Sequence, residues 1–169
     1  MANGADSAPA RTSARGWWIT LAVIAIVVVD QLTKAWAVAA LADGPINVIG
    51  SDIRFELTRN SGAAFSGFQG YTPILAVLAI AITVVIARAA RKATDAWILV
   101  GLTLVLGGAL GNLVDRVFRS PAFLRGHVVD FVALGAFPVF NVADSCITIG
   151  AVILVVRTMF SEQARERST

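Results

Sequence analysis

Three aspartates and one lysine stand in or beside long apolar runs, where an ionised side chain is expensive. Asp30 and Lys34 lie one helical turn apart in the first run, and Asp144 lies in the last run without an opposite charge nearby on its helix. A charge at the bilayer centre costs from about 3 to more than 10 kcal/mol, so such residues are retained for a purpose. Asp130 lies close enough in sequence to fold back over Asp144.

The chemistry open to Asp130 and Asp144 is acid and base catalysis. Two carboxylates that share a site cannot both ionise cheaply, so one keeps a proton while the other stays basic. The base can take a proton from a water that attacks a carbonyl, and the acid can protonate the leaving amine. The same spacing also suits a proton relay in a transporter, or a hydrogen-bonding Asp144 paired with Asn112 or Arg116.

A second polar group closes the third apolar run. Asn112, Asp115 and Arg116 stand at positions i, i+3 and i+4, so they share one helix face. This face predicts either a scaffold that orients the aspartates or a structural link between helix and loop. For Asp30 and Lys34, an ion pair that helps the helix insert is one interpretation, and a role in shaping a polar site is the other.

Other catalytic classes lack their motifs. The chain has no His-Glu-x-x-His, Gly-x-Ser-x-Gly or P-loop sequence, and it has a single His and a single Cys. We expect His127 to be a loop residue and Cys146 a packing residue. No cofactor and no metal ion is expected.

The elements that must position these residues are membrane-spanning helices. The chain is 57% hydrophobic and 15% charged, which is too apolar for a soluble globule. A helix needs roughly 20 apolar residues to cross the bilayer, and four runs are long enough. We therefore predict an all-α polytopic membrane protein, with a four-helix membrane domain over residues 16–160 and spans at about 17–41, 72–90, 96–117 and 138–158.

The depth of Asp144 follows from the predicted start of the fourth helix. Pro138 suits a helix start, because the N–H that it lacks has no partner there anyway. Asp144 comes six residues later, which is about 9 Å below the outer start of the helix. A loop or an amphipathic substrate can reach that depth.

Basic residues predict the orientation. Four spans place both termini on one side, where basic residues outnumber those of the other side by eight to five. The positive-inside rule puts that side in the cytoplasm. Residues 1–15 then form a disordered cytoplasmic tail, 161–169 a second tail, and 42–71 and 118–137 the two outer loops. The formal charge of +3 is a topology signal, and we expect no nucleic-acid partner.

The first outer loop contains a strand pattern. Ile53, Phe55 and Leu57 alternate with polar residues, and residues 46–48 supply a hairpin partner, which predicts a small extracytoplasmic β-sheet. A rival interpretation of the first run is a cleavable signal peptide that ends at residues 37–39. The apolar stretch continues for the length of a full span, which favours the membrane helix.

Five segments, taken together, resemble the lipoprotein signal peptidase (signal peptidase II) family in sequence and in order. They are residues 30–34 (DQLTK), 59–65 (RNSGAAF), 111–116 (GNLVDR), 128–131 (VVDF) and 140–145 (FNVADS). The resemblance covers about residues 17–156. It implies a multi-pass aspartic endopeptidase of the bacterial inner membrane, whose site faces outward. Such an enzyme cleaves the signal peptide of prolipoproteins on the N-terminal side of their diacylglyceryl-modified Cys.

Carried onto this sequence, the resemblance makes Asp130 and Asp144 the catalytic pair. It implies a substrate cleft with polar side chains and a group of supporting residues; these are Asn60, Asn112, Arg116 and Asn141 for the cleft, and Asp30, Lys34 and Asp115 for the support. The implied partners are diacylglyceryl-modified prolipoproteins and membrane lipids, the implied inhibitor is the cyclic peptide globomycin, and we expect a monomer. The tract 132–139 is short for the family, so the loop over the site is expected to differ.

Two other functions stay open at this point. One is a small proton-coupled transporter that uses Asp30, Asp130 and Asp144 as a proton path. The other is a non-catalytic membrane assembly factor in which the acids only hold the bundle together. Both predict that Asp to Asn changes have no effect on proteolysis.

Overall fold

Four apolar helices and three short strands make up the part of the chain that the computed structural model describes, which is residues 12–62 and 72–166 for the backbone and 16–62 and 73–161 for the side chains. In chain order they are α1 (Thr12–Ala40), β1 (Ile46–Ile49), β2 (Ile53–Asn60), α2 (Thr72–Lys92), α3 (Ala96–Phe118), β3 (Val128–Leu134) and α4 (Val142–Glu166). Each helix is long and apolar enough to cross a membrane, which confirms the predicted fold class.

The ends of the helices differ from the prediction in three places. Residues 12–15 and 161–166 are helical and extend α1 and α4 into the predicted tails, while residues 1–11 and 167–169 lie outside the described part. The third helix starts and ends within a residue of its predicted span. The fourth starts at Val142 instead of Pro138, because the backbone of Phe140 still pairs with Val132 and Asn141 caps the helix.

The three strands form one antiparallel sheet in the order β1-β2-β3. The pairing of β1 with β2 is the hairpin expected in the first outer loop, and the register sets Asn47 opposite Arg54. The third strand comes from the second outer loop and pairs along β2, with Thr58 opposite Asp130. We call this end of the molecule, with the sheet and the start of α4, the sheet end.

Aromatic side chains attach the sheet to the helices. Trp36 of α1 packs edge-on against Phe55 of β2 and Phe131 of β3, with ring centroids 5.3 and 6.2 Å apart. Phe131 is almost fully buried and shares a small core with Ala37 and Val129. The last turn of α1 is therefore the platform on which the two central strands lie.

Glycines let α3 approach both of its neighbours. A Cβ atom on Gly111 would lie 2.7 Å from the Oδ2 atom of Asp30 in α1, and one on Gly108 would overlap the carbonyl oxygen of Ala143 in α4. These two small residues therefore allow close helix packing. They also bring the polar residues of α1, α3 and α4 into one layer at the sheet end.

The opposite end of the molecule carries the start of α1, the end of α4 and the short turn between α2 and α3. We call it the terminal end. Asp95 is the N-cap of α3, where its Oδ1 atom accepts from the backbone N–H groups of Trp97 and Ile98 at 2.9 and 3.0 Å. Arg157 of α4 donates to the Oδ2 atom of Asp95 at 2.6 and 2.9 Å. These bonds to Arg157, followed by those from the backbone, lower the pKa of Asp95 to about 2.

We predict a graded loss of stability at this cap. Asp95→Asn keeps a good N-cap but loses the ion pair, and Asp95→Ala loses both, so the Tm should fall from wild type to Asn to Ala. Because folding depresses the pKa of Asp95, the advantage of wild type over Asp95→Asn should be present above about pH 4. It should vanish as the pH falls through about 2. Thermal unfolding in detergent micelles measures this order, and equal Tm values for the two variants at pH 7 would contradict it.

Candidate active site

Asp144 sits in the first turn of α4, and the start of the helix fixes its position. The side chain of Asn141 caps the helix by accepting from the Asp144 N–H at 2.9 Å, and the Oδ2 atom of Asp144 accepts from the Asn141 N–H at 3.2 Å. This is the reciprocal arrangement of a capping box. A carboxylate is favoured here by the positive end of the helix dipole.

The later start of α4 also moves Asp144 towards the surface. Measured from Val142, Asp144 lies two residues into the helix, or about 3 Å by helical rise. The predicted depth of about 9 Å below the helix start was wrong, because Phe140 and Asn141 are not helical. Asp144 therefore lies in the first turn of α4, at the sheet end.

Asp130 faces the same space from the middle of β3. Its Oδ2 atom accepts from the side-chain amide of Asn60 in β2 at 3.0 Å, and its Oδ1 atom accepts from that of Asn141 at 2.7 Å. The carboxyl is only 2% exposed. Burial raises the pKa of Asp130 to about 6, the charge of Asp144 adds to the rise, and the two amide bonds limit it.

Two asparagines connect the aspartates. The side-chain amide nitrogen of Asn141, besides its bond to Asp130, lies 3.2 Å from the Oδ1 atom of Asn112. The amide nitrogen of Asn112 donates to the Oδ1 atom of Asp144 at 2.8 Å. Asp130 and Asp144 thus belong to one hydrogen-bonded group built from β3, α3 and α4.

Beneath this group lies a buried charge cluster centred on Lys34. The Nζ atom lies 2.8 Å from Asp30 and 2.9 Å from Asp115, and all three side chains are fully buried. Arg119 completes the cluster by donating to the Oδ1 atom of Asp115 at 2.7 Å, so two carboxylates face two cationic side chains. Ionised side chains can be buried together only when positive and negative charges are matched in this way.

The cluster also fixes the orientation of Asn112. Lys34 donates to the Oδ1 atom of Asn112 at 2.9 Å. An ammonium group has no acceptor, so the oxygen of the amide must face Lys34 and its NH₂ must face Asp144. Asp30 and Lys34 thus form an ion pair, and Lys34 also contacts the polar group around Asp144 through Asn112.

Arg116 lies beside this group, and one nitrogen of its guanidinium group is not hydrogen-bonded to any described residue. Its Nη1 atom is buried and has no hydrogen-bond partner among the described residues. Both terminal nitrogens would lie 3.6 Å from a Cβ atom on Gly62, whose own N–H donates to Asn60. The guanidinium also attracts Asp130 and Asp144 electrostatically. It is therefore placed to donate to a bound group at the site.

All nine residues predicted for the site meet at the sheet end, although the spacing had not predicted how they connect. The prediction missed Gln31, whose amide nitrogen donates to Asp30, to Asp115 and to the carbonyl oxygen of Gly111 at 3.1 to 3.2 Å. A polar residue in an apolar run beside Asp30 was the signal for it. It also missed the bond at 3.1 Å from the Val129 N–H to Asp115, which ties β3 to α3.

The site has the parts for proton transfer and shows no sign of a metal centre. Among the described side chains, those of residues 16–62 and 73–161, no three His, Cys, Asp or Glu residues cluster in a way that could hold a metal ion. His127 lies in the loop before β3, as predicted, and Cys146 is half-buried in α4. What the geometry offers is a pair of carboxyls in unlike surroundings.

We predict that ionisation of Asp130 costs stability. Its pKa is about 6 in the folded protein against 3.8 for an unperturbed carboxyl, so its contribution is fully present below about pH 4 and is lost as the pH rises through 6. Relative to Asp130→Asn, wild type should lose roughly 2 kcal/mol of unfolding free energy between pH 4 and pH 7. Denaturant titrations in micelles measure this difference, and a difference that does not change with pH would refute the shift.

The chain is similar to known proteins over most of its length. A family model described as signal peptidase (SPase) II matches residues 22–160. The lipoprotein signal peptidase of Mycobacterium leprae (strain Br4923) is 45% identical over 157 residues, which cover 92% of this chain and 78% of the relative. That of Rhodococcus jostii (strain RHA1) is 49% identical over 156 residues, covering 90% and 79%. A solved structure of a bacterial membrane enzyme at 2.3 Å resolution has a TM-score of 0.72 at 29% identity, covering 85% of this chain and 88% of that one.

Proposed function

Because the chain belongs to the signal peptidase II family, we propose that this multi-pass membrane peptidase cleaves prolipoproteins with Asp130 and Asp144. Signal-peptide cleavage from prolipoproteins is the activity that the names of its relatives support. The aspartate mechanism, the roles of single residues and the orientation in the membrane are our proposals. Membership of a peptidase family leaves no support for the transporter and the assembly factor.

One observation supports the mechanism above the others, namely the unlike surroundings of two connected carboxyls. Asp130 is buried in the sheet and has a raised pKa, so it keeps a proton readily. Asp144 accepts from Asn112 and from the Asn141 N–H at the start of a helix, where negative charge is favoured. Two acids whose environments differ in this way suit an acid and a base.

The reaction that we propose needs only these two groups and a water. Asp144 takes a proton from the water as its oxygen attacks the carbonyl carbon of the scissile bond. Asp130 donates its proton to the carbonyl oxygen, which gives a tetrahedral intermediate with two hydroxyl groups. When the C–N bond breaks, Asp144 gives its proton to the leaving amine and Asp130 takes a proton back from one of the hydroxyl groups. The pair ends with the same total of one proton, so the site is ready for another substrate.

The substrate backbone would be aligned by groups beside the pair. The spare guanidinium nitrogen of Arg116 can donate to a peptide carbonyl. Asn60 and Asn141 are occupied by Asp130, so we assign them first to holding that carboxyl and second to lining the cleft. Asn112 holds Asp144, and the cluster of Asp30, Lys34 and Asp115 supports Asn112.

The position of the site suggests why a lipid would be recognised. Asp144 lies in the first turn of a span, so the reacting groups lie near the membrane surface. Phe118, Phe123 and Phe137 expose most of their rings at the same end. A peptide whose Cys carries two acyl chains is held at this depth by the membrane itself, since each buried CH₂ contributes about 0.8 kcal/mol.

The orientation that we propose follows the basic residues. The terminal end, with Arg88, Arg91 and Lys92, lies in the cytoplasm, and the sheet end lies outside. Inhibition by globomycin and a monomeric state are further expectations from the family resemblance.

We predict that Asp130→Asn and Asp144→Asn each lower kcat by about 100- to 10,000-fold or more, because each removes one half of the proton exchange. The changes are nearly isosteric, so both variants should insert and fold. A gel-shift assay with a diacylglyceryl-modified preprolipoprotein measures the loss. The matched control is Asp52→Asn, an exposed carboxyl in the turn between β1 and β2, which should leave kcat unchanged. Wild-type rates for either site variant would disprove the assignment.

The lipid requirement yields a second prediction. A substrate with an unmodified Cys should be cleaved at least ten times more slowly than its diacylglyceryl form in matched micelles. Arg116→Ala should lower kcat/KM by about 10- to 100-fold, the value of a hydrogen bond from a charged group, without abolishing this preference. The control is Arg125→Ala on the exposed loop before β3. Equal cleavage of both substrates would favour a protease that ignores the lipid.

The orientation is tested by labelling single cysteines. In a Cys146→Ala background, a membrane-impermeant maleimide added to intact cells without an outer membrane barrier should label Ser51→Cys in the β1–β2 turn. It should not label Thr94→Cys in the turn between α2 and α3 until the cells are opened. Both positions are exposed, so access alone decides the result. The reverse pattern would invert the proposed topology.

A further inference from the structure

A cleft opens between α1 and α2 at the terminal end, on the far side of the molecule from the aspartates. Its volume is about 560 Å³. The α1 wall includes Ile19, Val23 and Ile24, the α2 wall is made of the small residues Ala87 and Ala90, and Leu106 of α3 lies at the base. From Trp17 at the mouth to Ile24, the cleft runs about 10 Å along α1 by helical rise.

The cleft exists because α1 and α2 hardly touch each other. Both helices pack along α3, which lies between them as a common support. The side chains of Ala87 and Ala90 on the α2 wall are too short to reach across to α1. An apolar slot of this kind, open to the membrane, needs a flexible apolar chain to fill it.

Positive charge is concentrated at the mouth of the cleft. Arg91 is part of its lining, and Arg88 and Lys92 lie in the same last turns of α2. Within the described side chains, none of these three forms an ion pair with an acid. Trp17, whose ring is 67% exposed, stands at the opposite lip with its indole N–H.

A second groove at the terminal end shows the contrast. It lies between α3 and α4, it is also apolar, and it also includes an arginine, Arg157. That guanidinium is already bound by Asp95 at 2.6 Å. The cleft between α1 and α2 is thus the one of the two whose arginine is free of an acidic partner among the described residues.

We propose that the cleft between α1 and α2 binds one anionic phospholipid, with an acyl chain in the apolar slot and the phosphate on Arg91. A guanidinium donates two parallel hydrogen bonds to a phosphate, which an ammonium cannot do. A zwitterionic headgroup would add a cation beside Arg91, which is unfavourable. The bound lipid would complete the packing of α1 against α2, so it should also stabilise the fold.

The test uses the full chain, purified and exchanged into micelles that contain phosphatidylglycerol and phosphatidylcholine with identical acyl chains in equal amounts. Native mass spectrometry then counts the lipids that stay bound. We expect one retained phosphatidylglycerol, favoured at least tenfold over phosphatidylcholine. Added phosphatidylglycerol should also raise the Tm, while phosphatidylcholine should not. None of these readouts needs turnover, so the result is independent of the proposed peptidase mechanism.

Two variants and one control make the site specific. Arg91→Gln should reduce the preference for phosphatidylglycerol to less than threefold and remove the rise in Tm. Lys92→Gln removes the same charge from the same helical turn but does not line the cleft, so it should keep both effects. Ala87→Leu fills the slot and leaves every charge in place, and it should weaken retention of the lipid.

Three results would overturn the proposal. Equal losses in Arg91→Gln and Lys92→Gln would mean that the basic helix end attracts anionic lipids without a site. No retained phosphatidylglycerol in the wild type, or full retention in Ala87→Leu, would also overturn it. Arg91 is exposed, so Arg91→Gln should still fold, and its Tm in the absence of added lipid checks this.

Discussion

A single ammonium group, that of Lys34, sets the arrangement of the whole sheet end. Because this charge is fully buried, it must be matched, and the matching groups come from the same helix, α1, and from α3. Asp30 binds it from α1 and also accepts the Ala143 N–H at the start of α4. Asp115 binds it from α3 and also accepts the N–H of Val129 in β3. One charge therefore connects three helices and a strand.

The buried charge of Lys34 also affects the carboxyls of Asp130 and Asp144, although Lys34 does not contact them. Lys34 orients Asn112, and Asn112 holds Asp144. Asn141 then does two things at once, because its side-chain oxygen caps α4 while its amide nitrogen holds Asp130. The geometry of the candidate site therefore depends on α4 starting next to the buried charge of Lys34. Close contact at Gly111 and Gly108 makes the distances short enough.

Much of this could be predicted from the sequence, and the failures have physical causes. Long apolar runs and an alternating strand are strong local signals, so the prediction of four apolar helices and of the β1–β2 hairpin is confirmed. The motif resemblance to the signal peptidase II family is confirmed as well. The strand β3 was missed because most of its residues are buried, so it shows no alternation. The start of α4 was misplaced because the prediction began the helix at Pro138, whereas Asn141 and Asp144 form the capping box that begins the helix. Which groups bond to which could not be predicted, since these contacts join residues up to 113 positions apart.

The amides around the two aspartates have one more consequence. Each of the four carboxyl oxygens receives a hydrogen bond, and every donor is an amide, from Asn60, Asn112, Asn141 or the backbone. An amide donates a hydrogen bond but does not itself release or take up a proton in the pH range of cells. The asparagines therefore transmit the orientation that Lys34 sets to the two aspartates. They cannot transfer a proton from the aspartates to Lys34. Among the described residues, these amides therefore give a proton held by Asp130 or Asp144 no route to Lys34.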